Sequence, residues 1–354
     1  MKNLEKYLSL LDGEADGLLL TSRCSRHYCA EFDVAEGMAV VSKSGCRYFT
    51  DSRYLESAQK NIRDFTVLDV GTGRGYVRRI NEAISDFGIT CLGYEEKYLT
   101  AEELLRFEEE LKAPLLPISG KLNAFRDVKE LWELERMKKA QEITDKAFAE
   151  ILTKIRPGMT ELALQAELIY AMYKNGAQGL SFDPIVVSGP NTSMPHGVAG
   201  ERVIREGDFI TMDFGVLYQG YCSDTTRTVA VGYATEEMKK VYQVVLEAQL
   251  AGIAATKAGV TGEAIDGAAR KVIADAGYGD YFGHSYGHSL GLEIHEAPNL
   301  SFRNPDPIPA GAVCSAEPGI YLPGKFGVRI EDVTIVTADG CEDITNMPKE
   351  LLIV

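Results

Sequence analysis

The chain has 354 residues, which at about 150 residues per domain predicts two domains. Hydrophobic residues make up 45% and charged residues 25%, ordinary globular values that exclude a disordered or fibrous chain. The 37 Lys and Arg against 52 Asp and Glu give a net charge of −15, which speaks against nucleic acid or an anionic membrane surface as partner.

The first part of the chain alternates short apolar strands with amphipathic helices, which is typical of an α/β domain. Strands are predicted at residues 17–22, 37–42 and 47–52, and helices at 54–62, 77–87 and 101–111. The stretch KAPLLPISGKLNA at residues 112–124 carries two prolines and interrupts the periodicity, so it predicts a linker. We therefore place an α/β domain at residues 1–121 and a second domain at 122–354.

The second part predicts an α+β domain with a largely antiparallel sheet. A long helix is predicted from a cap at Asp127 to the pair Pro157-Gly158. Its apolar stripe consists of Val128, Leu131, Leu134 and Met137. Further helices are predicted at 161–174, 236–257 and 262–276, and strands at 183–189, 208–216, 227–233, 312–319 and 331–337.

The sequence favours a cytoplasmic location. No run approaches about 18 consecutive apolar residues, and the N-terminus places acidic residues before its apolar run, unlike a secretory signal. The seven cysteines are scattered and form no CxxC pair, which is typical of reduced thiols. We therefore expect a cytoplasmic protein that has no membrane partner.

Four of the five histidines fall in one hundred-residue stretch of the second part: His196, His284, His288 and His295. His284 and His288 have the spacing of a helical HExxH zinc site. However, Gly283 and Gly287 disfavour a helix, and no Glu follows His284. A glycine-flanked histidine in a strand instead allows the backbone to approach a ligand closely.

Four carboxylates occupy apolar, strand-like runs: Asp213, Asp224, Glu317 and Glu331. An ionised, unpaired carboxylate in such a place costs several kcal/mol, so a compensating cation is expected. The alternative is that some of them face solvent or pair with Arg227 and Arg329. Together with His288, four carboxylates suit two divalent ions about 3.5–4 Å apart, and oxygen-rich ligands favour a hard ion such as manganese.

Four segments carry a resemblance to a known family: SFDPIVVSGPNTSMPHG, DFGVLYQGYCSDTTRT, GHSLGLEIHEAP and EPGIYLPGKFGVRIEDV. In this order the chain resembles the pita-bread metallopeptidases, in particular their proline-specific branch of Xaa-Pro aminopeptidase and Xaa-Pro dipeptidase (prolidase). FTDSRY in the first domain is similar to the creatinase-like domain of that branch. The resemblance implies an α/β creatinase-like domain at 1–121 and an α+β pita-bread catalytic domain at 122–354.

The resemblance also implies roles for the five metal-ligating candidates. Asp213 would chelate one metal ion, while Asp224 and Glu331 would bridge two ions. His288 and Glu317 would complete the second metal site, and Glu317 would also act as the general base. The implied cofactors are two divalent ions, with manganese expected and cobalt or zinc as alternatives.

The remaining candidates match substrate-contacting positions of the family. His196 and His295 would bind the substrate and take part in catalysis by stabilising or protonating the tetrahedral intermediate. His284 and Arg329 would help to form the substrate pocket. The implied partner is a small peptide with proline at position 2, and the family's common homodimer is carried over as an expectation.

The sequence thus predicts a dinuclear metallo-exopeptidase that cleaves the N-terminal Xaa-Pro bond, as an aminopeptidase or as a dipeptidase. One alternative is a creatinase-like C–N hydrolase, which shares this architecture but works without metal. The other alternative is a pita-bread module that binds peptides without cleaving them. Retention of all five ligands favours the peptidase over both alternatives.

Overall fold

The computed structural model describes residues 3–73 and 75–354. It divides into two compact units, one ending at Phe125 and the other running from Arg126 to Val354. The boundary predicted from sequence lies four residues earlier, after residue 121. No helix in the described part of the chain is long and apolar enough to cross a membrane.

The first unit is an α/β structure, as predicted, with a mixed sheet in the order β4-β3-β2-β1-β5-β6. Its strands are β1 Gly17–Leu20, β2 Met38–Ser42, β3 Gly45–Thr50, β4 Thr66–Asp69, β5 Leu92–Tyr94 and β6 Leu115–Pro117. Its helices are α1 Asn3–Ser9, α2 Arg23–Ala30, α3 Leu55–Asn61, α4 Gly75–Phe87, α5 Ala101–Glu110 and α6 Ser119–Ala124, with a 3-10 turn at Leu10–Asp12.

The stretch that was predicted to be a linker belongs to this fold instead. Strand β6 pairs parallel with β5, with Leu92 opposite Leu115 and Tyr94 opposite Pro117. Proline is tolerated there because β6 is the edge of the sheet, where one side of the strand needs no N–H donor. The linker prediction for residues 112–124 is therefore wrong.

The second unit is α+β, and its strand pairs are antiparallel, as predicted. Its helices are α7 Leu131–Leu152, α8 Glu161–Lys174, α9 Glu236–Ala255 and α10 Gly262–Asp275, with 3-10 turns at Gly189–Ser193 and Gly279–Tyr281. Its first strands are β7 Gly179–Leu180, β8 Ile185–Ser188, β9 Phe209–Phe214, β10 Val216–Tyr218, β11 Tyr221–Cys222 and β12 Thr225–Ala230. The later strands are β13 Gly287–Ser289, β14 Glu296–Leu300, β15 Val313–Ala316, β16 Gly319–Leu322, β17 Phe326–Arg329, β18 Asp332–Val336 and β19 Cys341–Asp343.

Helix α7 begins later than the sequence predicted, so the assignment of its cap to Asp127 is wrong. Glu130 is the N-cap, and it forms a reciprocal capping box with Glu133. The shifted start also changes the buried face, because Leu131 is 80% exposed while Glu133 and Met137 are buried. The predicted apolar stripe therefore holds at Met137 but not at its first two positions.

Candidate metal centre

The second unit contains a cavity of about 800 Å³, within the range of roughly 300–1,000 Å³ that small-ligand sites occupy. All residues that the sequence predicted for the site line this cavity: His196, Asp213, Asp224, His284, His288, His295, Glu317, Arg329 and Glu331. The structure thus brings together side chains from widely separated parts of the sequence.

Strands β9 and β12 place the first two carboxylates. They pair antiparallel, with Asp213 opposite Thr226, and Asp224 immediately precedes the first residue of β12. Among the four carboxylates, only Asp213 lies inside a strand. The other three lie directly beside strand ends, which corrects the expectation that all four occupy strand positions.

Strands β15 and β18 place the other two carboxylates. Their register sets Ala316 opposite Asp332, so the adjoining residues Glu317 and Glu331 lie side by side. His288 comes from β13, which pairs with β15, and its backbone N–H donates to Ser315 Oγ at 3.0 Å. Ser315 Oγ in turn donates to Glu317 Oε1 at 3.1 Å, which connects His288 to this pair of strands.

Gly287 allows β13 to approach β15 closely enough to place His288. A Cβ at this position would lie 2.0 Å from the backbone oxygen of Ser315, which cannot rotate away. We therefore expect Gly287→Ala to destabilise the protein by at least about 1–3 kcal/mol. Gly283→Ala is the matched control, since its Cβ would meet nothing within 4 Å. Equal melting temperatures of the two variants in thermal denaturation would contradict this expectation.

Arg329 is the buried cation of the cavity, and its hydrogen bonds organise the cluster. Its Nη2 pairs with Asp213, its Nη1 donates to Tyr321 Oη at 2.9 Å, and its Nε donates to Thr226 Oγ1 at 2.9 Å. Thr226 Oγ1 donates onward to Glu331 Oε2 at 2.7 Å. The positive charge of Arg329 therefore stabilises Asp213 directly and Glu331 through the hydroxyl of Thr226.

His288 faces two other carboxylates. Its Nε2 lies 3.2 Å from Glu317 Oε1 and 3.6 Å from Asp224 Oδ2. Burial alone would lower the pKa of His288, but the hydrogen bond and charge of Glu317 and the charge of Asp224 raise it to about 9. Burial alone would raise the pKa of Glu317, but the hydrogen bond and charge of His288 lower it to about 2.

Ionisation of the other three carboxylates, Asp213, Asp224 and Glu331, is energetically costly. Burial raises the pKa of Asp213 and is the main reason that the pKa values of Asp224 and Glu331 lie well above their ordinary range. The charge of Asp213 raises the pKa of Asp224 further, and the charge of Asp224 raises that of Glu331. These groups are stable as anions only if additional positive charge is present.

The free oxygens of these carboxylates fit metal ions. Asp213 Oδ1, Asp224 Oδ1 and Glu331 Oε1 are buried and have no hydrogen-bond partner within the described residues. Asp224, His288 and Glu331 each offer a ligand atom, and these atoms lie within 4.8 Å of one another. Asp213 pairs with Arg329 and Glu317 with His288 around this group. Carboxylate and imidazole donors without thiolate suit divalent ions such as manganese, cobalt or zinc.

The three other histidines surround the cluster. The ring of His295 packs edge-to-face against that of His288 at 4.4 Å, and burial lowers its pKa. His284 Nε2 is 2.9 Å from Tyr321 Oη and its Nδ1 is 2.9 Å from the carbonyl of Ser285, and burial lowers its pKa as well. His196 is exposed on the cavity wall.

A buried ion-pair cluster holds the loop that carries His295. Glu296 Oε1 accepts hydrogen bonds from the backbone N–H groups of Leu292 and Glu293, both at 3.1 Å. Its two oxygens pair with Arg126 at 3.2 Å and with Lys129 at 3.1 Å. The segment before α7 therefore fixes the backbone on which His295 lies.

Sequence reasoning missed two polar residues of the site, Thr226 and Tyr321. Thr226 follows Asp224 by two positions, the spacing that places side chains on one face of an extended chain. Tyr321 follows Glu317 by four positions and lies on β16. Both are ordinary strand formers, so their residue types alone did not mark them as functional.

Comparison with known proteins agrees with this geometry. Residues 135–338 match metallopeptidase family M24, and residues 3–128 match the Creatinase/Prolidase N-terminal domain. An uncharacterized peptidase of Bacillus subtilis, YqhT, is 42% identical over 339 residues, covering 96% of each chain.

Solved structures of two similar proteins match nearly the whole chain. The Xaa-Pro dipeptidase from Bacillus anthracis is 44% identical with a TM-score of 0.95, covering 100% of this chain and 99% of its own. The X-Pro aminopeptidase from Thermotoga maritima is 37% identical with a TM-score of 0.94, covering 100% of both chains. The chain therefore belongs to metallopeptidase family M24, with a Creatinase/Prolidase N-terminal domain preceding the peptidase domain.

Proposed function

We propose that this protein is a dinuclear metallo-exopeptidase that hydrolyses the N-terminal Xaa-Pro bond of small peptides. The observation that carries the proposal is the cluster of four buried or half-buried carboxylates and His288 on one cavity wall, in a chain of family M24. Two similar proteins of solved structure support the proposal: one is an Xaa-Pro dipeptidase and the other is an X-Pro aminopeptidase.

Five residues would hold the two divalent ions. Asp224 and Glu331 would bridge them, Asp213 would bind one ion, and His288 and Glu317 would bind the other. When bound, such ions supply Lewis acidity, which lowers the pKa of water and polarises a scissile carbonyl. Manganese, a homodimer and a cytoplasmic location are proposed on the sequence alone.

Glu317 would take a proton from the attacking water. Its Oε1 accepts a hydrogen bond from Ser315 Oγ at 3.1 Å, a contact that does not compete with metal binding by His288, and its Oε2 accepts none among the described contacts. A carboxylate held in this way is ionised at neutral pH, and its orientation is fixed so that it can accept a proton from the attacking water. This is the arrangement that general base catalysis requires.

His196 and His295 would stabilise or protonate the tetrahedral intermediate. The nitrogen of an Xaa-Pro bond is tertiary, so it must receive a proton before it can leave. Because burial lowers the pKa of His295, its neutral imidazole would donate an N–H hydrogen bond to the oxyanion of the tetrahedral intermediate, while the proton that Glu317 takes from the water would pass to the leaving nitrogen. His196, which is exposed on the cavity wall, would orient the peptide or supply the proton.

Metal binding should release protons at pH 7. His288 has a pKa of about 9 in the absence of an ion, and Asp224 and Glu331 have strongly raised pKa values, whereas metal ligands must be deprotonated. Affinity for Mn²⁺ should therefore rise with pH and weaken in acid. Titration calorimetry in two buffers of different ionisation enthalpy measures the released protons. Identical heats in the two buffers would count against these ligands.

A side-by-side assay tests the proposed reaction. Chelated protein is reloaded with Mn²⁺, Co²⁺ or Zn²⁺ and given Xaa-Pro dipeptides, Xaa-Pro-Yaa tripeptides and matched peptides with alanine in place of proline. Hydrolysis of the proline peptides is expected. Cleavage of dipeptides alone would assign a dipeptidase, cleavage of tripeptides an aminopeptidase, and preference for the alanine peptides would refute proline specificity.

A further inference from the structure

A buried carboxylate outside the cavity closes the loop that carries His196. Glu161 is the first residue of α8 and its side chain is fully buried. Its Oε1 accepts hydrogen bonds from the backbone N–H of Ser188 at 2.7 Å, from Ser188 Oγ at 2.8 Å and from Asn191 Nδ2 at 3.0 Å. Its Oε2 accepts from the backbone N–H of Gly200 at 3.1 Å.

These donors lie at both ends of one loop. Ser188 ends β8 and Gly200 lies twelve positions later, with His196 between them. Backbone hydrogen bonds from Glu161 to the carbonyl of Arg202 and from Leu162 to that of Gly200 dock the end of the loop on the start of α8. The carboxylate thus joins the beginning and the end of the loop at one point.

The charge of Glu161 is stabilised through its donors. Ser188 Oγ, which donates to Glu161, accepts from Arg202 Nη1 at 2.5 Å, and Arg202 is paired with Asp208 at 2.7 Å. A buried carboxylate that satisfies several donors is costly to replace, because each donor would lose its partner. Such a group fixes backbone geometry more strongly than an exposed ion pair does.

The imidazole of His196 depends on this backbone for its position. It makes no hydrogen bond to any other residue within the described ranges. Its backbone is anchored on both sides: the N–H of Gly197 donates to the carbonyl of Met194 at 3.0 Å, and the carbonyl of Pro195 accepts from Arg329 at 3.2 Å. A side chain held only by its backbone moves when the loop moves. Displacement of a catalytic group by about 1 Å can cost on the order of 100-fold in rate.

We propose that Glu161 is a positioning residue for the reaction: its buried carboxylate closes the Ser188–Gly200 loop and so holds His196 at the substrate. The effect on the reaction rests on the proposed function of His196, whereas the closure of the loop by Glu161 does not. Glu161 acts through the loop and touches no metal-ligating candidate in the cavity.

Glu161→Gln is the variant of choice because it keeps the side-chain volume. Its amide N–H₂ replaces one acceptor oxygen and would face either the fixed backbone N–H of Gly200 or that of Ser188. We expect kcat/KM on an Xaa-Pro peptide to fall about 10- to 100-fold, with unchanged metal content by elemental analysis. The control Glu167→Gln lies on the same helix, in a surface ion pair with Lys154, and should leave activity unchanged.

A double-mutant cycle separates positioning from a general structural role. If Glu161 acts through His196, Glu161→Gln should add little to the loss caused by His196→Ala. The same loss in the His196→Ala background as in wild type would overturn the proposal. Full activity of Glu161→Gln would overturn it as well.

Hydrogen exchange gives a readout that needs no activity. In Glu161→Ala, the amides of Ser188 and Gly200 should exchange faster than in wild type, while those in α10 stay protected. Unchanged exchange in the loop would refute its closure by Glu161. If wild type failed to cleave Xaa-Pro peptides while this exchange difference held, the proposed function would be wrong and the loop closure would stand.

Discussion

Glu317→Gln should reduce hydrolysis of an Xaa-Pro peptide by about 1,000-fold or more while the protein remains folded. The change removes both the negative charge of a proposed metal ligand and the proposed general base. Loss of a general base alone lowers the rate by about 100- to 10,000-fold. Its neighbours Ser315 and His288 keep a side chain of the same shape to contact. Steady-state kinetics with saturating Mn²⁺ measures the effect, and circular dichroism checks the fold.

Glu263→Gln is the control for this variant, since Glu263 is exposed in the first turn of α10. It should keep wild-type kcat and KM. Turnover of Glu317→Gln within a few-fold of wild type would show that the base and the ligand set are assigned to the wrong residues.

Asp224→Asn should remove tight metal binding and activity together. The carboxamide has no charge and one acceptor oxygen, so it cannot bridge two cations as a carboxylate can. Changes in groups that merely support metal ligands cost about 10- to 100-fold in affinity, and a bridging ligand should cost at least as much. Elemental analysis after dialysis and calorimetric titration with Mn²⁺ measure this loss.

Asp183→Asn is the matched control, because Asp183 lines the same cavity but is exposed and lies outside the carboxylate cluster. It should bind the same amount of metal as wild type. Unchanged metal stoichiometry in Asp224→Asn would contradict the bridging role.

The positions of the cluster residues were predictable because their chemistry conflicts with their surroundings. A carboxylate such as Asp213 in the apolar run ITMDFGV needs a reason to be there, and four of them with His288 indicate a common cation. The α/β and α+β layers followed from hydrophobic periodicity in the same way. A family resemblance of the surrounding motifs then suggested the roles.

The supporting residues were not predictable because they suit their surroundings. Thr226 is an ordinary strand residue, and Glu161 an ordinary acidic residue in the first turn of a helix. Only the fold reveals that each meets the site or its loop. The linker prediction was wrong for a related reason. The prolines near Leu115 interrupt the hydrophobic periodicity, and this interruption has the same appearance at the end of a strand as at the end of a domain.

The central claim is that two divalent ions in this cavity hydrolyse Xaa-Pro bonds. Its most direct test is a titration of chelated protein with Mn²⁺ in which bound metal and hydrolysis of one Xaa-Pro peptide are followed together. We expect no activity without metal and full activity as two ions bind per chain. Full activity in the thoroughly chelated protein would contradict the account and favour a metal-independent, creatinase-like hydrolase. Full metal loading with no hydrolysis would favour a peptide-binding module.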